Sequence, residues 1–379
     1  MKICIKIDNM KKRIIAINLP QFHPFKENDE WWGKGFTEWT NVTKAKPRYH
    51  GHYEPHLPTE TGFYDLRLPE AREMQAQMAK QHGIDGFCYY HYWFNGHRLM
   101  ERPIDEILLS GKPDFPFMLC WANENWSRNW DGGFNSILIE QNYTAQDFEA
   151  HMRYLCENVF SDKRYIKVDN KPFFCVYKPE LLPDINECIS IWRNIGKEYG
   201  FELYLGYMSK NNTDLTKYGF DCCIDFQPHT RPYLEDSLWK QLFDFRNSNF
   251  CFRLWKKMFS EKTNPFNLSF RYCDFANKMK HNIELKYKIF PSITPSWDNS
   301  PRRVGRWFFS LRNSSPKAYG KWLIYILKNF HPYSKEENFV FINAWNEWAE
   351  GNHLEPDTKW GKGYLDVTKQ IADEYKSKK

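Results

Sequence analysis

PFFCVY (residues 172–177), a helix-like stretch at 184–200 and ELYLGYM (202–208) follow one another closely and decide the fold class. Both flanking runs are almost continuously apolar, which is typical of strands buried on both faces, where apolar and polar side chains need not alternate. A strand, a helix and a second strand in this order form a crossover unit with two parallel strands. The stretch therefore predicts an α/β fold.

The same unit repeats along the chain. Eight alternating strands and helices predict closure into a (β/α)8 TIM barrel, for which 379 residues is an ordinary length when loops carry insertions. An open doubly wound sheet is the structural alternative. The predicted strands are RIIAINL (13–19), IDGFCYY (84–90), FPFMLCW (115–121), PFFCVY (172–177), ELYLGYM (202–208), FDCCIDF (220–226), KYKIFPSIT (286–294) and NFVFINAW (338–345). The predicted helices span 69–82, 104–110, 145–160, 184–200, 315–329 and 364–376.

Two connections exceed the ordinary length of a loop. They cover about residues 20–68, after the first predicted strand, and about 227–282, after the sixth. Both follow the carboxyl end of a strand, the end of a barrel where active sites lie. We therefore expect insertions over the active face within a single catalytic domain, residues 1–379, and no interdomain linker.

Composition and charge exclude several classes of protein. The net charge of +6 is modest for this length and the basic residues are scattered, whereas a nucleic-acid surface would concentrate them. Many of the 16 tryptophans stand beside polar residues, and rings with one polar edge suit a wet surface that stacks against sugars. We expect an oligosaccharide or polysaccharide substrate, no nucleic-acid partner and no obligate protein partner.

The cysteines and the start of the chain bear on compartment and cofactors. Several of the ten cysteines lie inside apolar runs, as buried thiols do in a reducing compartment. No CxxC pair suggests zinc, so we expect no metal and no other cofactor. The start, MKICIKIDNMKK, lacks the apolar core of a secretory signal, which predicts a cytoplasmic location.

The segment FVFINAWNEWAEGNHLEPD (339–357) carries the candidate catalytic residues, Glu347 and Glu350. They follow the eighth predicted strand, where two carboxylates three residues apart can both face the mouth of the barrel. Glycosidic cleavage commonly uses two carboxyl groups, and neighbouring tryptophans raise the pKa of one by excluding water. The alternative is that both glutamates belong to the solvated start of the last helix.

A second segment, FPFMLCWANENWSRNWDGG (115–133), mixes rings with hydrogen-bonding groups, as a site for a polyol does. The alternative is an irregular, tightly packed loop. The first, second and seventh predicted strands end in similar sets, and Arg302 and Arg303 follow the last of these without an assigned role. The predicted substrate-binding residues are Gln21, His23, Glu38, Trp39, Tyr90, Tyr92, Trp93, Trp121, Asn123, Glu124, Trp126, Trp130, Trp297, Asp298, Asn346 and Trp348.

Six motifs in order give the chain a family resemblance: INLPQFHP, WWGKGFTEWTNV, GIDGFCYYHYWFNG, CWANENWSRNWDG, TPSWDNSPRR and AWNEWAEGNHLEPD. Together they cover nearly the whole chain. They resemble the WbsX family of bacterial surface-polysaccharide biosynthesis proteins, which is related to glycoside hydrolase family 99. The more distant link to family 99 depends mainly on the NEWxEG motif.

The resemblance to family 99 implies a (β/α)8 barrel and a retaining enzyme that acts on α-mannosides or α-glucosides. It implies that Glu347, the first glutamate of NEWxEG, assists attack of the sugar's own 2-hydroxyl on the anomeric carbon. Glu350, the second, is then the acid/base. Neither a DxD motif for a metal-bound nucleotide sugar nor a GxGxxG loop is present, which disfavours a conventional nucleotide-sugar transferase.

Three functions follow as alternatives. The favoured one is a glycoside hydrolase or transglycosylase in O-antigen or capsule metabolism. The second is a WbsX-type glycosyltransferase of lipopolysaccharide biosynthesis, working in peripheral contact with the cytoplasmic membrane face. Basic residues scattered between Arg253 and Lys280 could approach anionic lipid there, although a solvated basic surface is the favoured explanation. The third is a glycan-binding protein without catalytic activity.

Overall fold

A computed structural model describes residues 11–127, 137–210, 213–228, 268–280, 287–303 and 308–377. Eight parallel strands from these ranges form one sheet, and each corresponds to one of the apolar runs predicted as a strand. The strands are β1 Arg13–Asn18, β2 Gly86–Phe94, β3 Phe117–Trp121, β4 Lys171–Val176, β5 Tyr204–Ser209, β6 Cys222–Asp225, β7 with its two segments Ile289–Phe290 and Ser292–Ile293, and β8 Phe339–Ile342.

The sheet closes through β7. Its first segment pairs with β6, where Cys223 faces Ile289, and its second pairs with β8, where Ile293 faces Ile342. Only Pro291 separates the two segments, and a proline has no N–H to donate to a neighbouring strand. Between these ends the order β6, β5, β4, β3, β2, β1, β8 is parallel throughout. The predicted barrel is therefore confirmed, and the open sheet is excluded.

Side chains fill the interior of the barrel. The ring of Phe173 in β4 lies 5.3 Å from that of Phe339 in β8, the strand opposite, and 6.2 Å from that of Phe290 in β7. A Cβ at Gly206 in β5 would lie 2.7 Å from the Phe173 ring, so only glycine leaves room for that ring. The interior is a packed core, as barrels of eight strands require.

Helices cover the outside of the barrel with one apolar face each. Leu155 in the helix Ala145–Asn158 and Trp192 in the helix Ile185–Glu198, for example, are fully buried while neighbouring polar residues are exposed. The described helices are α1 Lys26–Trp32, α2 Glu38–Thr43, α3 Pro69–Gln81, α4 Arg102–Ser110, α5 Ala145–Asn158, α6 Ile185–Glu198, α7 Tyr272–Met279, α8 Pro316–Asn329 and α9 Gly363–Ser377. Across the described ranges, no helix has the length and apolarity to cross a bilayer.

The first insertion contains α1 and α2, and it reaches the loop after β8. A bridge joins Pro58 to Asp357, and the rings of Trp39 and Trp348 lie 5.5 Å apart. Most of the second insertion, including residues 253–267 of the basic segment 253–280, lies outside the described residues. Of that segment the structure describes residues 268–280, which form a short strand and α7.

Candidate active site

A cavity of about 210 Å³ lies at the carboxyl ends of the strands. Lining residues come from β2 and from the segments after the seven other strands, because parallel strands bring all their carboxyl ends to one face. Rings form much of the wall, which suits an apolar sugar face. The lining rings are Tyr90, Tyr92, Trp126, Tyr177, Phe226 and Trp297.

Glu347 and Glu350 both line this cavity. After β8 the chain forms a tight hairpin in which Asn346–Glu347 pairs antiparallel with Asn352–His353. The turn of the hairpin is the 3-10 segment Trp348–Glu350, closed by Gly351 at a φ of 55°. A side chain at Gly351 would be strained and would lie 2.9 Å from the Cβ of Asp298. The glutamates are thus held on a rigid turn instead of a solvated helix.

Arg302 joins three carboxylates in this cavity. Its Nη2 lies 3.0 Å from Oε2 of Glu347 and its Nη1 lies 2.9 Å from Oε1 of Glu350. The same guanidinium donates to Glu38, which α2 brings from the first insertion. The side chains of Arg302 and Glu38 are 6% and 1% exposed, so these charges are shielded from water. Three carboxylates share one guanidinium, which leaves an excess of negative charge to neutralise.

Burial and mutual repulsion favour a proton on the glutamate pair. Burial raises the pKa of Glu347 to about 8, with Glu350 and Glu38 adding to the shift and Arg302 opposing it. Burial also raises the pKa of Glu350, again against Arg302. Because the groups interact closely, the proton belongs to the pair as a unit. A retained proton at neutral pH is what general acid catalysis needs.

A fourth carboxylate, Glu355, stabilises the turn through hydrogen bonds. It is 1% exposed and accepts hydrogen bonds from the indoles of Trp345 at 2.9 Å and Trp348 at 2.7 Å. Tyr64 and Gln75 donate to the same carboxylate at 2.8 and 2.7 Å. Four donors on one buried carboxylate fix the two indoles that flank Glu347.

A model of the family described as glycosyltransferase WbsX matches residues 14–368. The chain belongs to the WbsX family. The match extends over nearly all of the chain and confirms the resemblance seen in the six motifs.

Two curated relatives of this WbsX chain are both named "Uncharacterized protein WxcX" and come from Xanthomonas campestris pv. campestris, strains B100 and ATCC 33913. They are 37% and 36% identical over 368 residues, which is 96% of this chain and 50% of each relative. The chain thus spans about half the length of the curated relatives that it matches.

Among solved structures, the WbsX chain resembles the GH99 endo-alpha-mannosidase from Bacteroides thetaiotaomicron, with a TM-score of 0.56 and 13% identity over 98% of both chains. A "Glycoside hydrolase-like protein" gives a TM-score of 0.58 and 14% identity over 98% of this chain and 96% of that one. At such identities the likeness establishes a common fold.

The structure brings part of the predicted substrate-binding set to the cavity wall and places the rest elsewhere. Glu38 lies against Arg302, which also contacts Glu347 and Glu350. Trp130 lies outside the described residues. The residues that line the cavity are Tyr90, Tyr92, Glu124, Trp126 and Trp297.

Four predicted tryptophans are packing residues whose indole N–H groups already have protein partners. Trp39 donates to the carbonyl of Tyr64, Trp93 to Asp147 and Trp121 to the carbonyl of Trp93. Trp348 donates to Glu355. All four are at least 92% buried, so they pack behind the residues that line the cavity.

Four predicted polar residues also stabilise loops. Asn123 bonds both ways with the backbone of Lys178, and Asn346 does so with Leu19. The carbonyl of Gln21 accepts the N–H of Glu38. His23 bonds to the carbonyl of Pro20, and burial lowers its pKa to about 4, which keeps the ring neutral.

Asp298 lines a second cavity, where its Oδ2 lies 2.5 Å from Nε2 of His52. Several lining residues of the first cavity were missed from the predicted set, among them Tyr177, Phe226, Arg302 and Lys210. Arg302 had a visible signal because it follows a strand that ends in polar rings. Its contact with Glu38, which lies 264 positions away, had none. Lys210 follows β5 directly, and position at a strand end was its only signal.

Proposed function

We propose that this chain cleaves or transfers glycosidic bonds, with Glu347 and Glu350 as the reacting carboxyl groups. The observation that carries the proposal is the contact of one buried guanidinium, Arg302, with both glutamates in a ring-lined cavity. The family description as a glycosyltransferase and the fold shared with an endo-alpha-mannosidase support a carbohydrate substrate. We place the reaction in bacterial surface-polysaccharide metabolism, on an α-mannoside or α-glucoside.

The two glutamates divide the chemistry as the family 99 resemblance implies. Glu347 accepts the proton of the sugar's 2-hydroxyl while that oxygen attacks the anomeric carbon. Glu350 donates a proton to the leaving oxygen, so the bond from the anomeric carbon to that oxygen breaks and an alcohol departs. Water or an acceptor hydroxyl then attacks the anomeric carbon, giving its proton to Glu350, and the 2-oxygen recovers its own from Glu347.

This division requires one proton on the pair before substrate reacts, and the site supplies it. The proton has to lie on Glu350 in the reacting complex. Glu350 is the more accessible of the two, with its side chain 20% exposed against 8% for Glu347. A leaving oxygen that enters from the cavity therefore meets Glu350 first. Arg302 remains bonded to Glu347 and stabilises its ionised form.

The test is a panel of α-mannosides and α-glucosides incubated with the wild type, Glu347→Gln and Glu350→Gln, with products measured by mass. We expect each replacement to reduce turnover by about 10²–10⁴-fold while substrate still binds. Glu187→Gln, which changes an exposed glutamate on α6, is the matched control and keeps full activity. Full activity of both site variants on a substrate that the wild type turns over would refute the assignment.

A glycosyltransferase that uses the same carboxylates is the second candidate, and the description of the family favours it. Titration calorimetry with nucleotide sugars separates the two, because a hydrolase shows no nucleotide-dependent binding. Tight retention of a glycan with no product from any substrate would indicate the third alternative, a glycan-binding protein. The excess of buried negative charge around Arg302 argues for catalysis, since a binding site has no need of it.

A further inference from the structure

The second cavity, of about 260 Å³, lies beside the first, and Trp297 lines both. Its walls come from the first insertion and from the loops after β7 and β8. Three residues near it are buried, ionisable and unused by the proposed reaction: His56, His353 and Asp357, which are 7%, 1% and 2% exposed. Buried groups of this kind need partners, and each of the three has the other two close by.

Their ligand atoms lie at the spacing that one metal ion requires. Nδ1 of His56 is 3.0 Å from Nε2 of His353, and Oδ2 of Asp357 is 3.9 Å from the same Nε2. All three atoms lie within 4.8 Å of one another. Around a tetrahedral zinc ion, with bonds of about 2.0–2.1 Å, ligand atoms lie about 3.3 Å apart. Small movements bring the three atoms to that distance.

The surroundings of His353 direct a lone pair into the cluster. Its Nδ1 lies 2.9 Å from the carbonyl oxygen of Glu355, which can only accept, so Nδ1 carries the proton. In a neutral His353 the Nε2 is then unprotonated. A carbonyl that fixes the tautomer in this way is the usual support of a metal-binding histidine.

Asp357 is oriented by its backbone partners. Its Oδ1 accepts the N–H groups of Lys359 and Trp360, so Oδ2 is the oxygen that faces the histidines. An anionic oxygen and a nitrogen lone pair thus face each other, and both are electron-rich. A cation between them converts this repulsion into two favourable bonds.

A neighbouring cluster, His52, Glu54 and Asp298, has one histidine in place of two, and that histidine is in a different tautomer. Nδ1 of His52 accepts the backbone N–H of Arg48 at 3.0 Å, so the proton of that ring is on Nε2. That proton is donated to Asp298, 2.5 Å away. His52 therefore has no lone pair to offer an ion and serves as an internal comparison for His353.

We propose that His56, His353 and Asp357 bind one divalent transition-metal ion. Two imidazoles and one carboxylate suit Zn²⁺, and the fourth position faces the second cavity. The sequence-based expectation of no metal rested on cysteine pairs, whereas these ligands include two histidines 297 positions apart. The ion would tie the first insertion to the loop after β8, where the Trp348 ring stacks on His353 at 3.7 Å.

The experiment measures metal binding and needs no substrate. The purified chain is stripped with a chelator and titrated with ZnCl₂ by calorimetry, and CoCl₂ is used to record the visible absorption of a tetrahedral site. We expect one Zn²⁺ per chain and an intense cobalt spectrum. His353→Gln and Asp357→Asn should each weaken Zn²⁺ binding by about 100-fold or more, since each removes a ligand. His52→Asn is the matched control and should bind Zn²⁺ as the wild type does.

Circular dichroism separates loss of the site from loss of the fold, and Asp357→Asn keeps the shape and the Oδ1 acceptor if His353→Gln fails to fold. Absence of stoichiometric Zn²⁺ binding by the wild type overturns the proposal. Equal affinity in the wild type and Asp357→Asn also overturns it, because the ion then lies elsewhere. The result is independent of whether the chain acts on glycosidic bonds.

Discussion

The indole of Trp348 donates a 2.7 Å hydrogen bond to the buried carboxylate of Glu355. Because Trp348 immediately follows Glu347, this bond links a carboxylate outside the cavity to the position of a glutamate that lines it. Trp345 donates to the other oxygen of the same carboxylate. Glu355 is therefore a positioning residue for the turn.

Replacement of Glu355 by glutamine keeps the size of the side chain but turns one acceptor into a donor. Two indole N–H groups, a tyrosine and an amide face that carboxylate, so at least one loses its partner. We expect Glu355→Gln to lower the free energy of unfolding by about 2–3 kcal/mol, measured by urea denaturation. Glu187→Gln is the control, and equal stability of the two variants would show that the four bonds contribute little.

Replacement of Arg302 by methionine leaves three carboxylates without their shared cation. We expect Arg302→Met to lower the free energy of unfolding by about 3–5 kcal/mol, as breaking buried ion pairs does. The comparison is Arg271→Met, which breaks an exposed pair with Asp274 and should change stability by less than about 1 kcal/mol. Similar urea midpoints for the two variants would contradict the role given to Arg302.

The fold was largely predictable because the apolar runs of the sequence mark the strands of the barrel. All eight strands and six helices occur where the sequence predicts them, with ends that differ by a few residues. The site was less predictable, because contacts between residues far apart in the sequence leave no local signal. Glu38, Arg302 and Glu347 meet only after the barrel closes. Sequence reasoning found the two glutamates through their position after a strand, but it could not find the guanidinium that joins them.

Strand alternation could have refined the predicted binding set. Adjacent residues of a strand face opposite sides, so Tyr92 and Trp93 cannot both line the cavity. In the structure Tyr90 and Tyr92 face the cavity, whereas His91 and Trp93 pack against α5, where both rings lie close to His151. The sequence contains this alternation, and the prediction that took Trp93 together with Tyr90 and Tyr92 as sugar contacts did not use it.

The alternation leads to a prediction about β2. Tyr92→Ala removes a ring from the cavity wall and should raise KM for a glycan substrate by about 5–30-fold, since a lost stacking contact weakens binding by about 1–2 kcal/mol. Trp93→Phe keeps an aromatic ring but removes the bond to Asp147. It should lower the thermal midpoint and leave KM unchanged. A larger KM effect for Trp93→Phe than for Tyr92→Ala would contradict the orientation of the strand.

Lys210, at the mouth of the cavity, helps to hold down the pKa of Glu350, which burial raises. Lys210→Met removes that positive charge, which disfavours the carboxylate, so the pKa of Glu350 should rise. If Glu350 is the acid, the basic limb of the kcat/KM profile moves to higher pH by about 0.5 unit. Lys197→Met, an exposed change on α6, should not move it. A shift towards lower pH would assign the limb to another group.

The pKa of Glu347 predicts how stability varies with pH. Burial raises this pKa to about 8 in the folded protein, above the ordinary value near 4.5 that applies when the chain is unfolded. The contribution of Glu347 to the free energy of unfolding is therefore fully present below about pH 4.5. It is lost as the pH rises through about 8, because ionising Glu347 costs more free energy in the folded state than in the unfolded state. Glu347→Gln cannot ionise and escapes this loss.

The free energy of unfolding of Glu347→Gln, taken relative to that of the wild type, should therefore be about 2–4 kcal/mol greater at pH 8.5 than at pH 5. Urea denaturation at both pH values measures this difference. Glu187→Gln, on exposed α6, should show no such gain. The same Glu347→Gln protein should be inactive at either pH, so a loss of activity accompanied by a gain in stability would separate chemistry from folding. A difference that is equal at both pH values would mean that Glu347 is ionised throughout, and the shared proton would then have to lie on Glu350 alone.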